Sequence, residues 1–146
     1  MSDHTPPRQL VVFTLAGEQY ALPIRQVHEI IRYKQPRSVA STEHSVRGVI
    51  SLRGRIVPVY DLAARLDVSS EPGEQSKIVI VDSGSRIVGV IVDAVEEVLT
   101  VADGQLEQPP AGTDSALIDA IAKLGDRLVV LLAATTIFTA IDTAAA

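Results

Sequence analysis

The sequence predicts a mainly β protein, built as small closed barrels that share an apolar seam. Three observations carry that expectation. Valine and isoleucine number 32 of 146 residues while phenylalanine, tyrosine and tryptophan together number 5, and β-branched side chains favour strands. The apolar runs are short and come with turn residues between them. Two of them, KIVIVD (77–82) and RIVGVIVD (86–93), are continuous rather than alternating. A strand of that kind is covered on both faces, and in a chain with few helices this points to barrels packed against each other.

The elements follow in order. LVVFTL (10–15) leads through Ala16-Gly17-Glu18 to QYALPI (19–24). RQVHEIIRY (25–33) reads as helix or strand, because its period fits either. VRGVISL (46–52) and RIVPVYD (55–61) form a hairpin around Gly54. DLAARLDV (61–68) is a short helix that sets Leu62, Ala63 and Leu66 on one side, with Asp61 as N-cap. SSEPGEQS (69–76) is a loop dividing the strands into two groups. The runs 77–82 and 86–93 pair around Ser83-Gly84-Ser85, and EEVLTV (96–101) is another strand. QPPAGTDS (108–115) is the second long loop. LIDAIAKL (117–124) and RLVVLL (127–132) flank the turn pair Gly125-Asp126. TTIFTAID (135–142) is expected to be a helical C-terminal cap, and residues 1–8 and 143–146 are expected to be disordered tails.

A chain of this length can bury roughly 70% of its unfolded surface, so it needs no disulfide or metal staple. It has no cysteine, which excludes thiol nucleophiles and thiolate metal sites. No apolar stretch approaches the ~18 residues of a membrane span, and MSDHTPPRQL is not ordered like a signal peptide. A soluble cytoplasmic protein is expected. Net charge is -5, unevenly spread: residues 1–55 carry +4 and residues 56–146 carry -9. Such asymmetry can steer partners together.

A search for reaction chemistry returns little. There is no Walker loop, no GxGxxG and no GxSxG. Ser83 and Ser85 read as turn formers. His4, His28 and His44 share no metal-ligand spacing. Asp82, Asp93, Glu96 and Glu97 cluster at strand ends, where carboxylates make turns or face solvent. Arg25, Arg32, Lys34, Arg37, Arg47, Arg53 and Arg55 make a basic stretch, but single-strand nucleic-acid binding needs stacking aromatics, and only Tyr33 and Tyr20 are at hand. What remains is a binding module with no catalytic, cofactor or metal residues.

Four pieces then appear in a recognisable order. They are VVFTLAGEQYALPIRQVHEII, VRGVISLRGRIVPVYDL, RIVGVIVDAVEEVLTV and LGDRLVVLL. Together they resemble the CheW family of chemotaxis coupling proteins over residues 9–141. The resemblance implies one domain of two intertwined five-stranded, SH3-like barrels over a common core. It implies no enzymatic activity and no cofactor. The implied partners are the regulatory domain of a CheA-type histidine kinase and the cytoplasmic tip of a chemoreceptor. Nucleic acid is not among them, and the membrane is reached only through receptors, in arrays at the inner membrane.

Carried over residue by residue, the resemblance assigns Val27 and Glu29 to kinase contact and Arg53 to receptor coupling. Ile78, Val95 and Val98 match apolar positions lining a receptor groove between the barrels, and plain core packing accounts for them equally well. Glu29 is as readily a solvated side chain as a contact. Arg53 either touches a partner or holds its loop through an ion pair. Gly48 and Gly54 read as close-approach or turn glycines. Ser51 stands where the family favours asparagine, Glu43 and Ser45 where proline and an apolar residue are common, and Ala133-Ala134 where an aspartate is common. Those departures bear on partner choice and leave room for a chemosensory pathway with another output. A small-ligand sensor using the seam is the alternative of a different class.

Overall fold

The computed structural model describes residues 7–40, 45–84 and 86–133. The predicted C-terminal helix, His4, His44, Glu43, Ser85, Ala134 and the tail 143–146 lie outside them. Arg8, expected within the disordered N-terminal tail, instead opens a strand that pairs with Val101.

Eleven strands are described: β1 (Arg8–Leu15), β2 (Glu18–Pro23), β3 (Val27–Arg32), β4 (Val46–Leu52), β5 (Arg55–Asp61), β6 (Lys77–Asp82), β7 (Ile87–Val92), β8 (Ala94–Val101), β9 (Leu106–Glu107), β10 (Ile118–Leu124) and β11 (Arg127–Leu132). One short helix, α1 (Leu62–Arg65), follows β5, and single 3-10 turns span Ile24–Gln26 and Asp103–Gln105. The ambiguous segment 25–33 resolves as such a turn followed by β3. The strands form a six-stranded sheet in the order β8-β1-β2-β11-β10-β9 and a five-stranded sheet in the order β3-β6-β7-β5-β4. The two-residue β9 adds a sixth strand where five were expected.

The chain changes sheet twice, after β2 and after β7. The loop 69–76 is therefore not the divide that its composition suggested, because β6 and β7 on its far side pair with β3 and β5 on its near side. The five-stranded sheet is one uninterrupted stretch of chain held between the two parts of the six-stranded sheet.

Each sheet packs an interior of its own, and the two share a third core. Leu10, Val12, Ala21, Val129 and Leu131 fill the six-stranded side. Ile50, Val57, Val59, Ile78, Ile80 and Ile91 fill the five-stranded side. Between the sheets lie Phe13, Leu15, Tyr20 and Leu22 from one and Tyr60, Val79, Val81, Val88, Val90 and Val92 from the other. Successive strand residues point to opposite faces. In β6, Ile78 and Ile80 therefore enter the sheet's own interior while Val79 and Val81 enter the shared core. That is why KIVIVD and RIVGVIVD are continuously apolar. Burying a valine, leucine or isoleucine side chain stabilises by about 1.5–3 kcal/mol, so a strand apolar on both faces contributes twice over.

Turn chemistry fixes the hairpins. Ala16-Gly17 and Arg53-Gly54 each have two successive positive φ angles, 52° and 81°, then 50° and 81°. That pattern suits two-residue hairpins, because its twist matches that of the strands. In the hairpin of β6 and β7, the Gly84 N–H donates to Asp82 Oδ1 (2.9 Å) and the Ser83 hydroxyl donates to the Arg86 carbonyl (3.0 Å). Asp61 caps α1, accepting from the Ala64 N–H at 3.2 Å. The helix ends with Val68 N–H on the Ala63 carbonyl and Asp67 N–H on the Ala64 carbonyl. Asp67 sits at φ 60° in a position that glycine usually takes.

Candidate functional site

The two end strands of the five-stranded ladder, β3 and β4, come together. Arg37, beyond β3, exchanges backbone hydrogen bonds with Val49 of β4, at 2.8 and 2.9 Å. Lys34 Nζ donates to the Ser51 carbonyl at 3.2 Å. Gly48 makes this approach possible: a Cβ there would stand 2.1 Å from the Arg37 carbonyl oxygen, and its φ is +147°. The sequence reading of Gly48 as a close-approach glycine thereby acquires a specific neighbour.

At the tip of the β4–β5 hairpin, Arg53 reaches across to Glu29 on β3. Its two terminal nitrogens meet the two carboxylate oxygens as a fork, with NH2 at 2.7 Å from Oε1 and NH1 on Oε2. Two local irregularities build the pair. The register of β3 against β6 slips between Val27 and Glu29, so His28 is an extra residue and re-aims Glu29, as bulges do. On the other side, Arg53 occupies the left-handed region. The hydrogen bonds from Arg53 hold the Glu29 carboxyl below its ordinary range, and the same contact raises Arg53. The pair stays accessible, with the arginine side chain 69% exposed and the glutamate 22%. Two residues assigned from sequence to different partners thus form one unit. Arg55 has no carboxylate partner among the described residues.

The aliphatic candidates part company. Ile78 is fully buried between Ile50, Val57, Val59 and Ile91, so it offers no surface to a partner, and core packing accounts for it. Val27 and Val95 pack against the shared core from its margin. Val98, on the end strand β8, is 51% exposed. No metal-holding group of His, Asp and Glu is found among the described residues. No helix among them is long and apolar enough to cross a membrane.

Asp93, which from sequence reads as a turn former or a solvated carboxylate, lies where the chain passes from β7 to β8. Its Oδ2 accepts from the Ala16 N–H at 2.8 Å, its Oδ1 from the Ser70 hydroxyl, and its own N–H donates to the Thr14 carbonyl at 3.0 Å. It ties the β1–β2 turn to the loop before β6. No local pattern shows that three separate segments converge there.

The model of the CheW-like domain matches residues 9–142. The chain belongs to the CheW-like domain family. It is 31% identical over 136 residues to the chemotaxis protein CheW of Klebsiella aerogenes, covering 90% of this chain and 82% of that one. It is 32% identical to the CheW of Bacillus subtilis, covering 88% and 85%. Among solved structures, the scaffolding protein TtCheW of Thermoanaerobacter tengcongensis superposes with a TM-score of 0.82 at 36% identity, over 86% of this chain and 88% of that one. The CheW-like chain is accordingly a non-catalytic adaptor of the chemotaxis scaffolding class, as the resemblance implied.

Proposed function

We propose that this CheW-like adaptor, as a unit spanning residues 9–141, joins a CheA-type histidine kinase to the cytoplasmic tip of a chemoreceptor. It reaches the inner membrane only by recruitment into receptor arrays. Kinase contact centres on Val27 and Glu29 of β3. Receptor contact uses Arg53 with the half-buried Val95 and the exposed Val98, an apolar surface suited to a helical partner. Ile78, buried in the interior of the five-stranded sheet, takes no part in that surface.

The observation that carries this reading is the fork between Arg53 and Glu29 at the accessible junction of β3 and β4. A charged, pre-formed pair between two candidate contact regions lets occupation of one bias the other, provided a partner binds the paired and opened arrangements differently. The adaptor alone has no ligand to sense, so its signal is the change in that preference within the complex.

Titration by calorimetry with the cognate kinase regulatory domain and, separately, a receptor cytoplasmic fragment tests it. Both are expected to bind, and Arg53→Ala is expected to weaken the receptor fragment while leaving the protein folded. Lack of binding to either at concentrations on the order of tens of micromolar would sink the reading.

A further inference from the structure

Beyond those two contacts, the outer face of the β4–β5 hairpin carries a surface that neither uses. β5 alternates: Val57 and Val59 enter the five-stranded interior, while Ile56, Pro58 and Tyr60 lie on the opposite face. Tyr60 lies in the shared core at 4% exposure. The same stripe runs out onto the surface and ends at Ile56, which is 70% exposed, the highest value among the exposed large hydrophobics. Ile56 stands opposite Ser51 on β4. The segment 34–37 runs beside β4, bridged to it at Arg37 and Val49, and between them is an open groove of about 430 Å³ lined by Val49, Ile50, Ser51 and Ile56 together with Lys34, Gln35 and Arg37.

Charge completes the picture. Among described residues 27–40 and 45–60 the one carboxylate is Glu29, and Arg53 already holds it. Arg47 is paired with Asp61 at 2.6 Å. Lys34, Arg37 and Arg55 have no carboxylate partner among the described residues. A greasy floor under uncompensated cations is complementary to an acidic chain that offers an aliphatic side chain. Nucleic acid fits less well: Tyr33, the one aromatic of segment 33–40, packs against the interior and is not free to stack.

We propose that this groove docks an acidic protein segment, with one aliphatic side chain seated beside Ile56 and carboxylates on Lys34 and Arg37. The cations steer the encounter and Ile56 anchors it.

The test is fluorescence anisotropy with the full chain and a labelled synthetic twelve-residue peptide of glutamate, aspartate and leucine. Binding is expected, weakening at least about tenfold between about 50 and 300 mM NaCl as charges are screened. Ile56→Ser is expected to weaken it about tenfold with an unchanged melting temperature, since Ile56 is already in water. The double variant Lys34→Glu/Arg37→Glu is expected to abolish it. A same-length lysine–leucine peptide serves as the reversed-charge control, and phosphatidylglycerol vesicles as the membrane control. Failure of the acidic peptide to bind, equal binding by the variants, equal binding of the lysine–leucine peptide, or retention on the vesicles that survives Ile56→Ser would each overturn the proposal. None of these outcomes depends on the kinase or receptor binding, so this surface and the adaptor reading can fail separately.

Discussion

Arg53 shows how one residue serves two structural demands. Its left-handed backbone completes the hairpin turn, and its guanidinium clasps Glu29. Because the side chain is 69% exposed, water competes for both charges and such pairs add little to stability. Arg53→Ala is therefore expected to shift the melting temperature by no more than about 2 °C in a thermal scan, and its effect should appear in receptor binding. The depressed Glu29 pKa fixes the sign of the pH response. A carboxyl whose folded value is lowered contributes stability above its unfolded value, and loses it as pH falls through the folded one. The fork should thus persist from neutral pH down through the ordinary glutamate range. Carboxyl-detected NMR checks this, with Glu29 expected to titrate below that range. Asp93 is the residue whose importance is tertiary. Asp93→Ala orphans the Ala16 N–H and the Ser70 hydroxyl, and we expect a loss of about 1–3 kcal/mol by urea denaturation.

At the scale of elements, the junction of β3 with β4 rests on absent atoms. Gly48→Ala would drive a methyl group into the Arg37 carbonyl, 2.1 Å away, at a backbone angle disfavoured for alanine. Prising segment 33–37 from β4 is expected to cost about 2–3 kcal/mol and to speed amide exchange at Arg37 and Val49, whose N–H groups make the two bonds across the gap. α1 offers the reverse experiment. Asp67 holds a left-handed position at the helix end, and Asp67→Gly is expected to raise stability by about 0.5 kcal/mol. Hairpins of this kind were legible locally, since Gly17, Gly54 and Gly125 between apolar runs announce turns. The small irregularities that aim side chains were not. The extra residue at His28 has no sequence signature, because a bulge is the residue count of one strand set against a partner distant in the chain.

For the whole molecule, the shared core makes the two sheets interdependent. Val79 and Val81 of one sheet meet Phe13 and Leu22 of the other, so neither sheet can open without exposing that layer. Phe13→Ala is expected to cost about 3–5 kcal/mol while keeping a single transition. Near-ultraviolet and far-ultraviolet circular dichroism should then trace the same curve. Charge is also a property at this scale. From the cation-rich part of the chain before residue 56, folding sets Lys34 and Arg37 beside the exposed Ile56.

The sequence by itself determined the class of structure, most of the strands and their hairpin turns, the family and the adaptor role. All of these rest on short-range pattern: β-branched runs, glycine turns and four ordered motifs. The tertiary structure decided which strands share a sheet, because pairing across a crossover is set by long-range packing that no local window contains. It sent Ile78 inward and left Val98 outside, although both are aliphatic strand residues, since burial depends on what lies across from each face. It also joined Glu29 to Arg53, 24 residues apart, through a bulge on one strand and a left-handed turn at the tip of another.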